Sequence, residues 1–163
     1  MGLICRQLDA ESLRREARVD GGGLATDAVD AALARGDWCV GVFEADRLLG
    51  HCWFTSRPAR LCPGLDLAFD PSWAYSYWAF TRADQRGRGL HSLGKSHALD
   101  LATARGLRGI LSAVRADNGA SLRSAARLGC RRVGSLLALG PARRRWAWVT
   151  PGCRPYGLRL EAS

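Results

Sequence analysis

The chain has 163 residues, 47% apolar and 24% charged, a length and balance that fit one soluble globular domain and exclude disordered, collagen-like and low-complexity classes. A domain of this size buries about 68–70% of its unfolded surface and needs no metal or disulfide staple. No apolar run approaches the roughly 18–20 residues that cross a bilayer. Met1-Gly2-Leu3-Ile4-Cys5-Arg6 is neither a secretory signal nor a myristoylation signal, because Arg6 stands where Ser or Thr is required. A single domain over 1–163 is expected, cytoplasmic and without a membrane partner.

The net charge is +9, from 24 basic and 15 acidic residues, and Lys95 is the single lysine. That excess favours anionic partners: nucleic acid, an anionic surface or a phosphorylated small molecule. Arginine suits phosphate in particular, since its planar fork makes two bonds at once. The six cysteines, at 5, 39, 52, 62, 130 and 153, form no Cys-x-x-Cys pair, so no metal is expected. Cys39 and Cys52 read as buried thiols acting as small hydrophobes.

In chain order, Gly2–Leu8 predicts a first strand. Asp9 is placed to cap a helix with Glu11 and Glu16 in its early turns. After Gly21-Gly22-Gly23, Leu24–Arg35 predicts a helix with Leu24, Ala28, Ala31 and Ala32 near one face, stopped by Gly36. Trp38–Glu44 and Leu48–Thr55 predict a hairpin. Arg57–Gly64, holding Pro58 and Pro63, reads as a loop. The aromatic stretch Asp66–Arg82 predicts one or two strands broken near Pro71. Leu90–Arg105 has helical period, with Leu90, Leu93, Gly94, His97, Leu101 and Ala104 on one stripe and Leu99 opposite. Arg108–Val114 predicts a strand, and Asn118 caps a helix running to Leu128 and ending at Gly129. Val133–Leu139 and Arg145–Val149 predict two more strands. This order argues for a mixed α/β sheet with helices on both faces.

The chemistry-bearing segment is Arg86-Gly87-Arg88-Gly89-Leu90-His91, between a strand and a helix. The first amides of a helix have no intrahelical partner, and the dipole there favours anions. Gly87 and Gly89 let the backbone come close, and Arg86 and Arg88 add positive charge. The segment suits a pyrophosphate. It lacks the Lys-Ser/Thr of a Walker A loop and the third glycine of the dinucleotide fingerprint.

These residues, with those that follow, resemble the GNAT superfamily of acyl-CoA N-acyltransferases, whose hallmark is Arg/Gln-x-x-Gly-x-Gly/Ala between the fourth strand and third helix. Arg86 and Gly89 match, and His91 stands where Gly or Ala is usual. Asn118, Ser121, Gly129 and Cys130 follow a second signature of the family, with Cys in place of Phe. The resemblance covers Thr81–Gly129 in detail and the rest in element order. It implies a central sheet of six to seven strands whose fourth and fifth strands splay apart. It implies that acetyl-CoA or another acyl-CoA is the co-substrate, with pantetheine in that gap against Ala79, Phe80 and Thr81. The pyrophosphate then lies on Gly87, Arg88, Gly89, Leu90 and His91, and Asn118 and Ser121 approach the pantetheine. An amine acceptor, small molecule or peptide, attacks the thioester directly. Many members carry a Tyr seven residues after the Asn as the acid for the leaving thiolate; this chain has Ala125 there.

The candidates for proton handling are Asp70 as base and Tyr75 and Tyr77 as hydroxyls that orient the acceptor or a water. His51 and His97 read as structural and His91 as a first-turn residue. Arg143-Arg144-Arg145 beside Trp146 and Trp148 reads as a solvated turn rather than a nucleic-acid surface. The expected function is acyl-CoA-dependent N-acetyl transfer in a monomer or homodimer. The alternatives are a catalytically silent acyl-CoA sensor or scaffold and, behind it, a basic nucleic-acid module.

Overall fold

A computed structural model of the chain describes residues 2–19, 22–141 and 146–162. Strand β1 (Leu3–Leu8) leads into α1 (Ala10–Ala17), which Asp9 caps by accepting the Ser12 amide at 2.7 Å. That bond holds the Asp9 carboxyl below its usual range. Helix α2 (Thr26–Ala34) follows, then the hairpin of β2 (Trp38–Glu44) and β3 (Arg47–Thr55). Next come β4 (Ala59–Cys62), β5 (Leu65–Ala68) and β6 (Ala74–Thr81). Helix α3 (Leu90–Ala104) leads to β7 (Ile110–Ser112) and α4 (Gly119–Arg127). The chain ends with β8 (Leu136–Leu139), β9 (Trp146–Val149), a 3₁₀ turn over Pro151–Tyr156 and β10 (Arg159–Ala162).

The central sheet has the order β1-β2-β3-β6-β7, antiparallel except for the parallel pair β6 and β7. It holds five strands among the described residues, fewer than the six to seven expected from the sequence. Strands β8 and β9 pair only with each other, and β4, β5 and β10 form a sheet of their own. The segment Arg57–Gly64, read as a loop for its two prolines, contains β4. Pro58 and Pro63 lie just outside that short edge strand, where a missing amide costs no ladder bond.

The sheet carries helices on both faces, as the pattern of its strands requires. One face packs Leu8, Cys39, Phe43, Leu48 and Trp53 against Leu13 of α1 and Val29 and Ala32 of α2. The other packs Val40, Cys52, Phe54 and Ala74 against Ala98 and Ala102 of α3. Cys39 and Cys52 are buried as expected, and burial pushes the Cys52 thiol up to about 11. The buried stripe of α3 is Leu90, Gly94, Ala98 and Ala102, a strict four-residue spacing. Leu93, placed on the stripe by the sequence, is 40% exposed. Ala28 and Ala31 of α2 likewise face solvent, because Val29 and Ala32 take the sheet side. Among the described residues no helix is long and apolar enough to cross a membrane. Arg143-Arg144-Arg145 lie outside the described residues, while Trp146 and Trp148 are exposed on β9.

Candidate functional site

The site is built where β6 and β7 part. They are in register only over Ala74↔Ile110, Tyr75↔Leu111 and Ser76↔Ser112. Strand β6 continues to Thr81 beside β3, so among the described residues no strand pairs with its other edge from Tyr77 to Thr81. Ala79 shows the consequence. It lies in an inner strand and yet is exposed. An inner strand with one unpaired edge offers amide and carbonyl groups to an extended ligand, as an edge strand does.

At the far end of that slot the chain turns into α3. Gly87 and Gly89 have φ of 82° and 75°, the left-handed region that favours glycine. A Cβ at either position would meet nothing within 4 Å, so the loop faces open space. Leu93 N to Gly89 O, at 3.0 Å, is the bond that closes the first turn of α3. The amides of Leu90, His91 and Ser92 therefore lack an intrahelical partner, which leaves the anion-favouring helix end that the sequence implied. The hairpin tip of β2 and β3 braces this loop: Arg47 pairs with Asp84 at 3.0 Å and Glu44 with Arg88 at 2.7 Å.

That bracing changes the roles of the two arginines. Arg88, expected to hold phosphate, is bound by Glu44 and by Gln85. Arg86 is exposed and forms no ion pair among the described residues, so it is the open cation at the loop. His91 is half-buried, and burial, with Lys95 one turn on, holds its imidazole down at about 4. The ring is neutral at ordinary pH. Asn118 caps α4, accepting the Ser121 amide at 3.1 Å, so the two residues expected to approach a ligand are bound to one another by that cap. A hydroxyl contact of 3.4 Å between Ser92 and Ser124 joins α3 to α4.

The proposed proton-handling residues separate clearly. Asp70 accepts the Ser72 amide at 2.9 Å in the turn between β5 and β6, outside the strand, and this bond lowers its carboxyl further. It is a residue of that turn, at the start of the segment that leads into β6. Regular strand alternation would put Tyr75, Tyr77 and Ala79 on one face, and the structure departs from it. The register skips between Trp53↔Trp78 and Phe54↔Ser76, so Tyr77 is the extra residue of a β-bulge. Ala79 pairs with Cys52 and so shares the α3 face, whereas Tyr75 packs with Phe69 and Leu111 on the opposite face. Tyr75 is buried, and burial raises its hydroxyl to about 12, opposed by the backbone of Ala113 just beyond β7. Tyr77 donates its hydroxyl to Asp37 Oδ2 at 2.9 Å. Burial raises that hydroxyl as well, and the Asp37 charge adds to the effect.

Asp37 was not singled out in the sequence. Its side chain is 1% exposed and its Oδ2 also accepts from Arg35 at 2.6 Å. Oδ1 is buried with no hydrogen-bond partner among the described residues. The residue lines a cleft of about 400 Å³ with Gln7, Trp38 and Ser56. Lys95, the lone lysine, lies on α3 with Nζ donating to Ser112 Oγ at 2.8 Å, at the point where β6 and β7 separate.

No protein-family model matches the sequence, and no match to it was found among curated proteins. Solved structures are similar in shape. AAC(6')-Iy, in complex with the bisubstrate analogue CoA-S-monomethyl-acetylneamine, superposes with a TM-score of 0.63 at 15% identity, over 86% of this chain and 99% of that one. An N-acetyltransferase from Staphylococcus aureus Mu50 gives 0.62 at 16% identity, over 91% and 95%. Ribosomal-protein-alanine N-acetyltransferase from Brucella melitensis biovar Abortus 2308 gives 0.61 at 14%, over 86% and 99%. With the parted β6–β7 pair and the glycine loop that opens α3, these superpositions establish that the chain has the fold of the GNAT acetyltransferases.

Proposed function

We propose that the protein is an N-acyltransferase that moves an acetyl or related acyl group from acyl-CoA to an amine by direct attack. The observation that carries this reading is the slot along β6, from exposed Ala79 to the glycine loop at the start of α3. Its two ends suit the two ends of one ligand. The free edge of Ala79, Phe80 and Thr81 suits the amides of pantetheine. The amides of Leu90, His91 and Ser92, with Arg86 beside them, suit the pyrophosphate. Similar folds with a coenzyme A analogue bound support the same choice of co-substrate.

The acceptor must lose a proton, since a protonated amine is no nucleophile. The bulge at Tyr77 places a hydroxyl and, behind it, the Asp37 carboxylate on the face opposite α3. That pair is a route for the proton and a means of holding the acceptor. A small-molecule or peptide amine is the expected class. Ala125, at the position of the family's acid, favours a second reading, in which the domain binds acyl-CoA as a sensor without turnover.

Melting with and without acetyl-CoA tests the binding shared by both readings. At 100 times its dissociation constant, a ligand of the folded state adds about 2.7 kcal/mol. For a chain of this length that raises Tm by about 5–11 °C. No shift at millimolar ligand overturns both. A screen of amines that follows release of coenzyme A thiol then separates them. Tight acetyl-CoA binding with no thiol release from any amine selects the sensor.

A further inference from the structure

We propose that Lys95 is the acid that protonates the coenzyme A thiolate as it leaves. This rests on the acyltransferase reading above and assigns that reaction a group which Ala125 does not supply. Ser112, the hydrogen-bond partner of the Lys95 ammonium, is the last residue of β7 in register with β6. The ammonium therefore stands at the apex of the slot, where the two strands separate. Ser76 and Ser112 are directly paired and share the face covered by α3, so Lys95 reaches the apex from that side.

The helix is seated to allow this reach. A Cβ at Gly94 would meet Val42 Cγ2 at 3.2 Å and Cys52 Sγ at 3.9 Å, so α3 lies close on β2 and β3 at the turn that carries Lys95. His91, one turn earlier on the same flank, stands in the first turn beside the glycine loop. The line from loop to apex thus passes His91 and then Lys95, in the order of a ligand's pyrophosphate and its sulfur.

The surroundings fit an acid rather than an ion-pair partner. Cys52 of β3, Cys130 beyond α4 and His91 of α3 interact with Lys95, and among the described residues it forms no ion pair with a carboxylate. Burial lowers the ammonium from its ordinary value, which makes it a stronger acid than a surface lysine.

The step balances. The amine nitrogen bonds to the thioester carbonyl carbon, and the C–S bond breaks with its electron pair on sulfur. A proton passes from Nζ to sulfur, giving the free thiol and a neutral Lys95. The proton shed by the nitrogen leaves by way of Tyr77 and Asp37 to water, and water reprotonates Lys95.

The test needs no acceptor. Coenzyme A labelled with carbon-13 at the methylene beside sulfur is bound to the protein, and the thiol is titrated by NMR, which protein cysteines do not disturb. A cation within reach of sulfur lowers its titration by about one to three pH units relative to free coenzyme A. Lys95→Met should return it to the free value, and Lys95→Gln serves if the Met variant does not fold. A bound thiol in the wild-type protein that titrates as free coenzyme A does overturns the proposal. So does a lowered value that survives in the variant. Failure of the wild-type protein to bind either coenzyme A or acetyl-CoA overturns the acyltransferase reading itself, a result that melting alone reveals.

Discussion

Gly89→Glu tests the anion cradle with two separable effects. Gly89 has φ of 75° and a Cβ there would meet nothing within 4 Å. The folding cost is therefore backbone strain without a clash, about 1–2 kcal/mol for an L-residue in the left-handed region. For a chain of this size that lowers Tm by about 2–8 °C, and the protein stays folded. The carboxylate lies where the pyrophosphate is proposed to lie, so the acetyl-CoA-induced rise in Tm of about 5–11 °C should vanish. Gly89→Ala is the control. It carries the same strain with one methyl group and no charge, and it should keep most of the ligand-induced rise. Differential scanning fluorimetry of the three proteins, with and without acetyl-CoA, reads both effects. A Glu variant that is destabilised as expected but keeps the full rise refutes the cradle. A Glu variant that loses nothing in Tm refutes the strain estimate instead.

Tyr77→Phe removes the hydroxyl that donates to Asp37 Oδ2, while Asp37 Oδ1 already lacks a partner. A further lost bond on a buried carboxylate should cost about 1–3 kcal/mol, a fall in Tm of about 2–12 °C; an unchanged melting curve removes Asp37 as the reason for that tyrosine. Tyr75→Phe, once an acceptor amine is in hand, should lower turnover on the order of 10²-fold if its hydroxyl serves the reaction, and full activity makes it a core ring alone. His51 is 1% exposed, and burial holds it at about 4, against an ordinary 6.5, with the backbone of Gly22 and Gly23 opposing. The fold binds the neutral ring, so this stability is complete above pH 6.5 and is lost as pH falls from there to about 4. The loss is about 3 kcal/mol. Urea unfolding of His51→Leu over that range should be correspondingly flatter than wild type, and parallel profiles refute the assignment.

Features set by local chemistry were legible in the sequence. Asp9 caps α1, Asn118 caps α4, and Gly106 and Gly129 follow helix ends, each because a helix terminus needs a specific partner or a positive φ nearby. The glycine loop was legible for the same reason. What failed was non-local. Ala59–Cys62 looks like a loop because its prolines flank it, and only pairing with β5 makes it a strand. Arg88 looks as free as Arg86 until the hairpin tip brings Glu44 against it. Asp37 is one carboxylate among fifteen acidic residues, and its significance comes from burial under Tyr77, forty residues on. Lys95 did carry a visible signal as the single lysine, but its spacing on the helix gave no hint that β7 ends beside it.

The bulge at Tyr77 decides which side chains lie on each face of β6. In an unbroken strand Tyr75, Tyr77 and Ala79 would share a face, and hydroxyls and slot would compete for the same side. One extra residue reverses the alternation. Ala79 turns to the α3 face, where Lys95 and the glycine loop lie, and Tyr77 turns to the other, where Asp37 is buried. The Lys95 ammonium and the backbone donors then lie on one side of the strand, and the Tyr77 hydroxyl with the Arg35-paired Asp37 on the other. Under the acyltransferase proposal, an acyl thioester in the slot would meet Lys95 on the α3 side and the Tyr77–Asp37 pair on the other. On that proposal the two needs of amide formation, a proton removed from nitrogen and a proton given to sulfur, are assigned to groups on opposite faces of β6. Their charges also do not cancel, because Asp37 is paired with Arg35 and Lys95 with a neutral serine.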